Sequence, residues 1–320
     1  MTADSAGAPK ARAFNDSSES RSGLLGSTSL VVVRGAGDIA TGVVQRCVHA
    51  GFDVIALELA QPMAVRWRAS LCTAVREGSW QVEDLRGLRA DDLGEARQIL
   101  AKSRQCARTD SYWVPVIVDP EAELIDQVRP AAVIDAMLAK RNIGTRRGMG
   151  IVTVGCGPGF VAGDDVDYVV ESMRGHNLGR VLSTGKALPN TGVPGVIAGH
   201  GVDRVVRAPA SGRIRVVRDI ADVVDRGETL CILDGVDGSH EVLSPLSGVV
   251  RGMIPDGAAV PRGLKIADVD PRPEMVSCCD TISDKARAVG GGALDAVLQG
   301  LSIHGQQIFE ESPAFPSGVR

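Results

Sequence analysis

The sequence has few aromatic side chains, no long apolar run and no excess of positive charge. Phe, Tyr and Trp make up 3% of the 320 residues, which argues against the aromatic platforms that stack on single-stranded nucleic acid. A formal net charge of −4 gives no long-range attraction to nucleic acid or to an anionic membrane. No apolar run reaches the roughly 18 to 20 residues that span a bilayer, and residues 1–28 lack the apolar core of a signal peptide. We therefore expect a cytoplasmic protein with no nucleic-acid or membrane partner, in which any anion site is local.

The chain also lacks the usual sequence signatures of catalytic and metal centres. Its seven cysteines are scattered without a C-x-x-C pair, so we expect reduced thiols and neither a disulfide framework nor a structural zinc site. The adjacent Cys278 and Cys279 are interpreted as small buried residues, with a free-thiol role for one of them as the alternative. No Ser/His/Asp arrangement, metal-ligand spacing or Walker lysine is present. The sequence accordingly predicts no metal and identifies no catalytic residue.

What the chain does contain is the composition of a packed protein of two domains. Hydrophobic residues make up 44% and charged residues 23%, as in ordinary soluble proteins. A single core usually stops growing at roughly 250 to 300 residues, so a chain of 320 residues favours two domains. Residues 1–28 are rich in Ser, Ala, Gly and charge without periodicity and are predicted to form a disordered leader. Residues 29–180 alternate apolar runs with amphipathic segments, which is typical of a Rossmann-like α/β domain.

The predicted elements of this domain start with a strand, helix and strand in "SLVVVR", "DIATGVVQRCVHA" and "DVIALEL". Continuous Val and Ile runs bounded by Pro and Gly indicate strands that are buried on both faces of a parallel sheet. Further strands are predicted over residues 114–120, 131–138, 150–160 and 168–172, with a helix over 122–128. Residues 84–105 carry charge at helical spacing and predict a surface helix that covers one face of the sheet.

An internal repeat follows a connecting segment, residues 181–203. The pentapeptide "APASG" at 208–212 recurs as "SPLSG" at 244–248, and "VVDRG" at 223–227 recurs as "AVPRG" at 259–263, in both cases 36 residues later. We interpret residues 204–270 as two interlocked four-strand halves of a small flattened barrel.

This repeat resembles the barrel-sandwich hybrid of biotinyl and lipoyl carrier domains. Such carriers modify a Lys in the hairpin that joins the halves, whereas residues 233–241 contain no Lys. We therefore expect the β-rich domain to dock a partner or to shield a cofactor. A C-terminal helical segment over residues 271–300 and a flexible tail over 301–320 complete the predicted organisation.

The segment "VVVRGAGDIATG", residues 31–42, has the pattern of a nucleotide-binding turn. Gly35 permits a tight turn, Gly37 lets a phosphate approach the backbone, and Ala40 occupies the third small position, where helix and strand pack closely. A helix that begins at Asp38 offers free N–H groups and a positive dipole end to an anion. Glu58, at the end of the second strand, stands where a ribose-binding acid is expected.

Asp38 leaves the nature of this turn open. Its carboxylate would compete with a phosphate for the same N–H donors, and Asp is among the best N-cap residues. One interpretation is a nucleotide or similar anion site, in which a metal ion could bridge Asp38 to a phosphate. The alternative is a capped turn that serves only the architecture.

Further candidate residues follow the later strands of the predicted sheet. Asp135 ends a buried strand, and Lys140, Arg141 and Asn142 come after it, beyond the sheet edge at which open α/β folds bind ligands. The alternative for this basic segment is a solvated turn.

Two more segments are candidates on similar grounds. Gly155 and Gly157 lie in "GCGPGF", which is interpreted as a structural turn or as a ligand-contacting loop. Arg174 and His176 lie in "ESMRGHNLGRV", where they form an exposed turn or a pair that binds carboxylate or phosphate.

Taken together, "VVVRGAGDIATG", "ELAQP", "AKRNIGT", "RGHNLGR", "TGVPG" and "TISDKARA" resemble the YqeB-type family. The resemblance runs from about Leu30 to Leu298. It implies an accessory protein of the selenium-dependent molybdenum hydroxylase system, which handles or inserts a molybdopterin-type cofactor and contacts a client hydroxylase or other maturation factors. It implies no catalytic residue for this sequence.

Three functions are therefore carried forward from the sequence. The first is an accessory factor whose Rossmann-like domain binds a nucleotide or a phosphorylated molybdopterin-type cofactor. The second is an NAD(P)-dependent oxidoreductase, in which Glu58 would favour NAD over NADP. The third is a non-catalytic interaction scaffold.

Overall fold

The computed structural model describes residues 30–106 and 111–311. The predicted disordered leader, residues 1–28, lies outside the described residues, and so do residues 312–320 of the predicted tail.

A nine-stranded sheet forms the first unit of the chain. Its strands are β1 (Leu30–Arg34), β2 (Asp53–Glu58), β3 (Ser79–Val82), β4 (Leu85–Ala90), β5 (Tyr112–Val118), β6 (Ala132–Asp135), β7 (Val152–Cys156), β8 (Tyr168–Val170) and β9 (Val181–Leu182). The spatial order is β3-β4-β5-β2-β1-β6-β7-β8-β9. The strands from β4 to β8 in this order pair in parallel, and β3 and β9 pair antiparallel at the two edges. The predicted α/β class with a parallel sheet is therefore confirmed.

This unit contains two short helices and two longer ones. They are α1 (Asp38–His49), α2 (Thr73–Glu77), α3 (Leu93–Cys106) and α4 (Leu124–Val128). The strand order reverses beside β1, because the chain builds outward on one side through β2 and returns to the other side with β6. Ligands of open α/β sheets bind at such a switch point, beyond the carboxyl ends of the strands. The loops after β1 and β6 are therefore the loops that position a site.

The prediction of a helix over residues 84–105 is wrong for its first part. Residues 85–90 form β4, and the helix begins only at Leu93. In β4, Leu85 and Ala90 at the two ends are buried while Arg86 and Arg89 are exposed, so the strand has buried and exposed residues on both of its faces. The Asp92 side chain then accepts a hydrogen bond from the Glu95 N–H (2.9 Å) and caps the helix.

The second unit contains two four-stranded sheets over residues 205–270. Its strands are β10 (Val205–Arg207), β11 (Gly212–Val216), β12 (Val223–Val224), β13 (Thr229–Gly235), β14 (Gly238–Leu243), β15 (Gly248–Met253), β16 (Ala259–Val260) and β17 (Lys265–Asp270). One sheet has the order β10-β17-β15-β12 and the other β14-β13-β11-β16. Each sheet thus takes two strands from each half of the sequence repeat, and the halves interlock around one core.

The last element is a long helix that packs back onto the first unit. Helix α5 (Asp284–Glu311) extends past residue 300, where the helical segment was expected to end. It crosses α1 at very close range, because a Cβ on Gly290 would lie 2.4 Å from the Gly42 carbonyl oxygen. A Cβ on Gly42 would lie 2.5 Å from the Ala286 carbonyl oxygen. Only residues without a side chain allow the two backbones to approach in this way.

One segment of the first unit packs against the core of the second. Val65 and Trp67 pack against the hydrophobic core of the β-rich unit, and the Met253 N–H donates to the Val65 carbonyl (2.8 Å). Short 3₁₀ turns at Trp67–Ala69 and Pro273–Cys278 flank this contact. None of the helices in the described part of the chain is long and apolar enough to cross a membrane.

Candidate functional site at the sheet switch point

The glycine loop lies directly after β1, at the switch point. Gly35 has φ of +99°, a conformation that favours glycine, and its N–H donates to the Leu57 carbonyl (2.7 Å). A Cβ at this position would also lie 3.2 Å from Met137 in the loop after β6. Gly37 has open space around its Cα and provides the N-cap position of α1, and Ala40 is buried in the first turn of the helix. The loop therefore exposes backbone at Gly37 and packs tightly on either side of it.

Asp38 does not cap this helix. It is the first helical residue, and no side chain makes the N-cap hydrogen bond. Its carboxylate instead accepts a hydrogen bond from Arg66 Nη1 at 2.8 Å. The capped-turn interpretation of Asp38 is wrong in this respect, because a buried arginine competes successfully for the carboxylate.

Arg66 is the residue that sequence reasoning missed at this loop. It is 7% exposed, and its Nη2 donates to the carbonyls of Thr281 (3.0 Å) and Cys278 (3.2 Å). Its Nε has no hydrogen-bond partner among the described residues. The only local sign of its role in the sequence was its position within the largely apolar segment "MAVRWRA".

Glu58 binds the glycine loop itself. Its Oε2 accepts from the Ala36 N–H (2.8 Å) and its Oε1 from the Leu59 N–H (2.8 Å). Burial raises the pKa of Glu58, and these two backbone hydrogen bonds act in the opposite direction. Both carboxylate oxygens thus already accept backbone hydrogen bonds, one of them from the glycine loop.

Asp135 anchors the neighbouring loop after β6. Its Oδ2 accepts from the Thr145 hydroxyl (2.6 Å), and Arg34 Nη1 donates to the same hydroxyl oxygen (2.5 Å). Arg34 and Asp135 are register partners at the ends of β1 and β6. Burial raises the pKa of Asp135, while the Thr145 hydrogen bond, the Met137 N–H and the Arg34 charge lower it. This buried cluster ties the middle of the loop, at Thr145, to the ends of β1 and β6.

Lys140, Arg141 and Asn142 of that loop have different roles. Asn142 builds the turn, since its Oδ1 accepts from the Thr145 N–H (2.9 Å) and its Nδ2 donates to the Thr145 carbonyl (2.7 Å). Lys140 has φ of +65° and lines the cavity described below. Arg141 is exposed and does not line it.

Close packing leaves no room for a side chain at Gly155 and Gly157. A Cβ on Gly155 would lie 2.5 Å from the Phe160 ring. Gly157 has φ of +84°, and a Cβ there would lie 2.7 Å from the Ser172 hydroxyl oxygen. Neither glycine lines the cavity, although Pro158, the residue after Gly157, does.

Arg174 and His176 lie in different environments, one at the cavity and one away from it. Arg174 lines the cavity and makes two hydrogen bonds to the Asp284 carboxylate (2.7 and 3.1 Å) at the start of α5. This interaction lowers the pKa of Asp284 to about 2, against the opposing effect of burial. His176 is exposed and does not line the cavity.

These loops open onto a cavity of about 900 Å³, here called the switch-point cavity. Its walls come from the glycine loop, the loop after β6, residues 188–195, the start of α5 and the β-rich unit. Eight basic and three acidic side chains line it. Four basic residues belong to the α/β unit or to α5: Arg66, Lys140, Arg174 and Lys285. The other four belong to the second unit: Arg204, Arg207, Arg251 and Lys265.

The acids do not balance these cations. They are Asp38, Glu58 and Asp268. Within the described residues, Lys140, Arg207 and Lys285 have no carboxylate oxygen within 4.0 Å. The cavity is therefore strongly basic in a chain whose formal net charge is −4. Sequence reasoning missed Arg204, Arg207, Arg251, Lys265 and Lys285, because nothing local in the sequence relates them to the glycine loop.

The described residues contain no group of three or more His, Cys, Asp or Glu side chains that could hold a metal ion. The cysteines whose side chains the structure describes are all free. Of these, Cys278 is partly exposed, and Cys279 is buried in the core of the second unit.

Comparison with known proteins gives one clear relative. No protein-family model matches the sequence. The chain is 45% identical over 269 residues to "Uncharacterized protein YqeB" of Escherichia coli (strain K12), and the aligned region covers 84% of this chain and 47% of that protein. The two sequences are related over this region, and the chain spans about half the length of the curated relative.

Likenesses among solved structures are remote. The product-bound ectoine utilization protein EutE (DoeB) from Ruegeria pomeroyi is 18% identical over 28% of this chain and 27% of that chain, with a TM-score of 0.21. The succinylglutamatedesuccinylase/aspartoacylase from Rhodobacter sphaeroides is 10% identical over 76% of this chain and 86% of that chain, with a TM-score of 0.24. TM-scores this low carry no argument about this chain.

Proposed function

We propose that this YqeB-related protein binds a phosphorylated small molecule, a nucleotide or a molybdopterin-type cofactor, in the switch-point cavity. We further propose that it acts as a cytoplasmic accessory factor in the maturation of selenium-dependent molybdenum hydroxylases. The binding function is supported by one observation above all, the lining of the cavity by eight basic and three acidic side chains. The accessory role rests on the family resemblance of motifs such as "RGHNLGR" and "TISDKARA".

A phosphate has suitable partners at the start of α1. The N–H groups of the first helical turn have no carbonyl partner within the helix, and the helix dipole favours an anion there. Arg66 offsets the charge of Asp38, so the carboxylate is a weaker obstacle to a phosphate than the sequence indicates. Burial lowers the pKa of Lys285, which lines the same wall, and a bound anion would favour its charged form.

The β-rich unit supports this function by its position. Its interlocked halves are consistent with a barrel-sandwich hybrid, which we propose as its fold type. The turn of the hairpin between β13 and β14 contains Val236 and Asp237 and no Lys, so a carrier function is disfavoured. In the proposed function this unit covers the cavity and docks the client enzyme or another maturation factor.

The NAD(P)-dependent oxidoreductase remains a second hypothesis from the sequence. The position of Glu58 at the end of β2 favours it, but both carboxylate oxygens of Glu58 already accept backbone hydrogen bonds, one from Ala36 of the glycine loop and one from Leu59. A ribose would have to displace or share these hydrogen bonds. Titration with NAD therefore belongs in the same experiment.

The binding function is tested by calorimetric titration of the folded protein with ATP, CTP, NAD, inorganic pyrophosphate and molybdopterin. Adenosine and cytidine serve as uncharged controls. We expect phosphorylated probes to bind and nucleosides to fail, because charge-assisted hydrogen bonds dominate recognition. Lys285→Gln should weaken binding about tenfold, since a hydrogen bond to a charged group contributes about 1.5–3 kcal/mol. The exposed Lys102→Gln should leave binding unchanged. Failure of every phosphorylated probe would overturn the proposal.

The accessory role needs a separate measurement. Activity of a selenium-dependent molybdenum hydroxylase is compared in cells with and without the protein, at equal amounts of hydroxylase polypeptide. We expect the activity to fall when the protein is absent. Unchanged activity contradicts the accessory role and leaves the binding function standing.

A further inference from the structure

We propose that the β-rich unit completes the ligand site with Arg251 and Lys265, and that the ligand carries an extended anion such as a di- or triphosphate chain. One end of this anion lies at the start of α1 and the other reaches the second unit. This inference rests on the proposed binding function and names its ligand class.

Three of the four basic cavity residues of the second unit surround a single acid. Asp268 is 3% exposed, and Arg204, Arg251 and Lys265 all direct cations at its carboxylate. The Arg251 and Lys265 nitrogens lie 3.4 and 3.6 Å from Asp268 Oδ2, at the long end for ion pairs, whereas Arg204 pairs closely with Oδ1. One negative charge thus faces three positive charges. Arg251 and Lys265 can therefore bind a second anion, and both line the cavity.

This cluster is continuous with the glycine loop. Strand β15 packs directly on the segment that carries Arg66, since a Cβ on Gly252 would lie 3.4 Å from Arg66 Cγ. The next residue after Gly252, Met253, donates its N–H to the Val65 carbonyl (2.8 Å). Arg251 is close enough to Arg66 and Asp38 for their charges to act on its pKa, which burial lowers. Arg66 therefore lies between the start of α1, where it pairs with Asp38, and the basic cluster of the second unit.

The acids near this path do not neutralise it. Asp38 pairs with Arg66, Asp284 pairs with Arg174, and Asp268 is shared by three cations. Lys285, beside Asp38 at the start of α5, has no carboxylate oxygen within 4.0 Å among the described residues. A single phosphate at the glycine loop would leave Arg251 and Lys265 with only the Asp268 carboxylate, which they share with Arg204. A longer polyphosphate would supply negative charge both at the start of α1 and beside Arg251 and Lys265.

The lining also indicates that charge is recognised more strongly than an aromatic base. Among the described residues that form the cavity there is no Phe, Tyr, Trp or His, so no aromatic face is available for stacking. ATP and CTP should consequently bind with similar affinity. Inorganic triphosphate should retain most of the binding.

The decisive experiment compares anions of different length on matched variants. Inorganic triphosphate, ATP and AMP are titrated into the wild-type chain, Lys265→Gln, Arg251→Gln and Arg226→Gln. Arg226 is an exposed basic residue of the same unit that does not line the cavity, and it serves as the control. Thermal unfolding of each variant without ligand checks its fold.

We expect Lys265→Gln and Arg251→Gln each to weaken triphosphate and ATP binding about tenfold, and AMP binding about twofold or less. Arg226→Gln should leave all three unchanged. Arg251 contributes to the buried cluster, so if Arg251→Gln does not fold, the partly exposed Lys265 decides the question. Wild-type affinity for triphosphate in both variants, or equal wild-type affinity for AMP and triphosphate, overturns this inference while the proposed function stands. Absence of binding by every probe to the wild-type chain overturns both.

Discussion

The pair formed by Asp38 and Arg66 determines the electrostatics of the glycine loop. A carboxylate at the start of a helix is favoured by the helix dipole, and it also occupies the region in which a phosphate would bind. Arg66 reduces this conflict because it donates to Asp38 and is itself held by the carbonyls of Cys278 and Thr281. The loop therefore depends on residues from three distant parts of the chain.

Asp38→Asn is expected to strengthen the binding of pyrophosphate or ATP about three- to tenfold, because it removes a like charge in a site of reduced dielectric. Titration calorimetry in the absence of divalent cations measures the effect. Asp237→Asn, at the tip of the hairpin in the second unit, is the control and should change nothing. Weaker binding by Asp38→Asn, together with a requirement for Mg²⁺ in the wild-type chain, would favour the metal-bridge alternative.

The ion pair of Asp284 with Arg174 should give a defined pH dependence. The pKa of Asp284 falls from 3.8 to about 2 in the folded protein, so the pair stabilises the fold above about pH 4 and loses this effect as the pH falls towards 2. We expect Asp284→Asn to be less stable than the wild-type chain at pH 5, and the difference to shrink by pH 3. Exposed pairs contribute roughly 0 to 1 kcal/mol, so the effect is small.

Urea unfolding at pH 5, 4 and 3 checks this prediction. Asp295 is the control, because it is exposed on the same helix and makes no ion pair within the described residues. A difference between Asp284→Asn and the wild-type chain that stays constant over this range contradicts the assignment.

Between elements, the crossing of α1 and α5 is the contact that holds the start of α5 at the cavity. The backbones approach through Gly42, Ala286 and Gly290. Lys285 and Asp284 lie in the turn of α5 next to this crossing. A wider crossing would move both residues relative to the glycine loop.

Two adjacent glycines of α5 should respond to alanine in opposite ways. Gly290→Ala is expected to destabilise the protein by about 1–3 kcal/mol, because the new Cβ would lie 2.4 Å from the Gly42 carbonyl oxygen. Gly291 faces open space, so Gly291→Ala should stabilise the helix by about 0.5–1 kcal/mol. Urea unfolding of both variants measures the two changes. Equal effects at the two positions would exclude a close crossing.

Considered as one molecule, the chain consists of two units with a shared core segment. Val65 and Trp67 extend from the α/β unit into the core of the β-rich unit, and Arg68 binds Asp219 across the same boundary (2.8 Å). The switch-point cavity lies beside this contact, since Val65 and Arg66 line it. The units are therefore expected to unfold together.

Trp67→Ala tests this coupling. Removal of the indole should cost about 3 kcal/mol and should destabilise both units, because its ring packs against the core of the second unit and against Trp80 of the first. Circular dichroism and the fluorescence of the remaining tryptophans should report one shared transition at lower urea concentration. Met63→Ala, an exposed residue of the same segment, should change stability by less than about 0.5 kcal/mol. Separate transitions for the two signals in the wild-type chain would contradict the shared core.

Much of the architecture was predictable from local patterns. The Val and Ile runs of β1, β6 and β7 indicated buried parallel strands, and the 36-residue repeat indicated two interlocked β-rich halves. Strand β4 was missed because its arginines also fit a helical charge pattern, and six residues are too few to separate the two periods. The glycine loop was located correctly as a strand-to-helix turn, since Gly35 has a positive φ that favours glycine and Gly37 stands at the N-cap of α1.

The composition of the candidate site was decided only by tertiary structure. Glu58, Asp135, Lys140 and Arg174 were selected for their positions at strand ends or beside glycines. These local criteria could not show that Glu58 binds the glycine loop or that Asp135 binds Thr145 in the loop after β6. Arg66, Arg251, Lys265 and Lys285 come from four separate segments, and only folding brings them to one cavity. Hydrophobic periodicity relates residues that are near neighbours in the chain, so it can be recognised in the sequence. Electrostatic interactions act between neighbours in space, so the basic cavity of an acidic chain appears only when the two units are packed together.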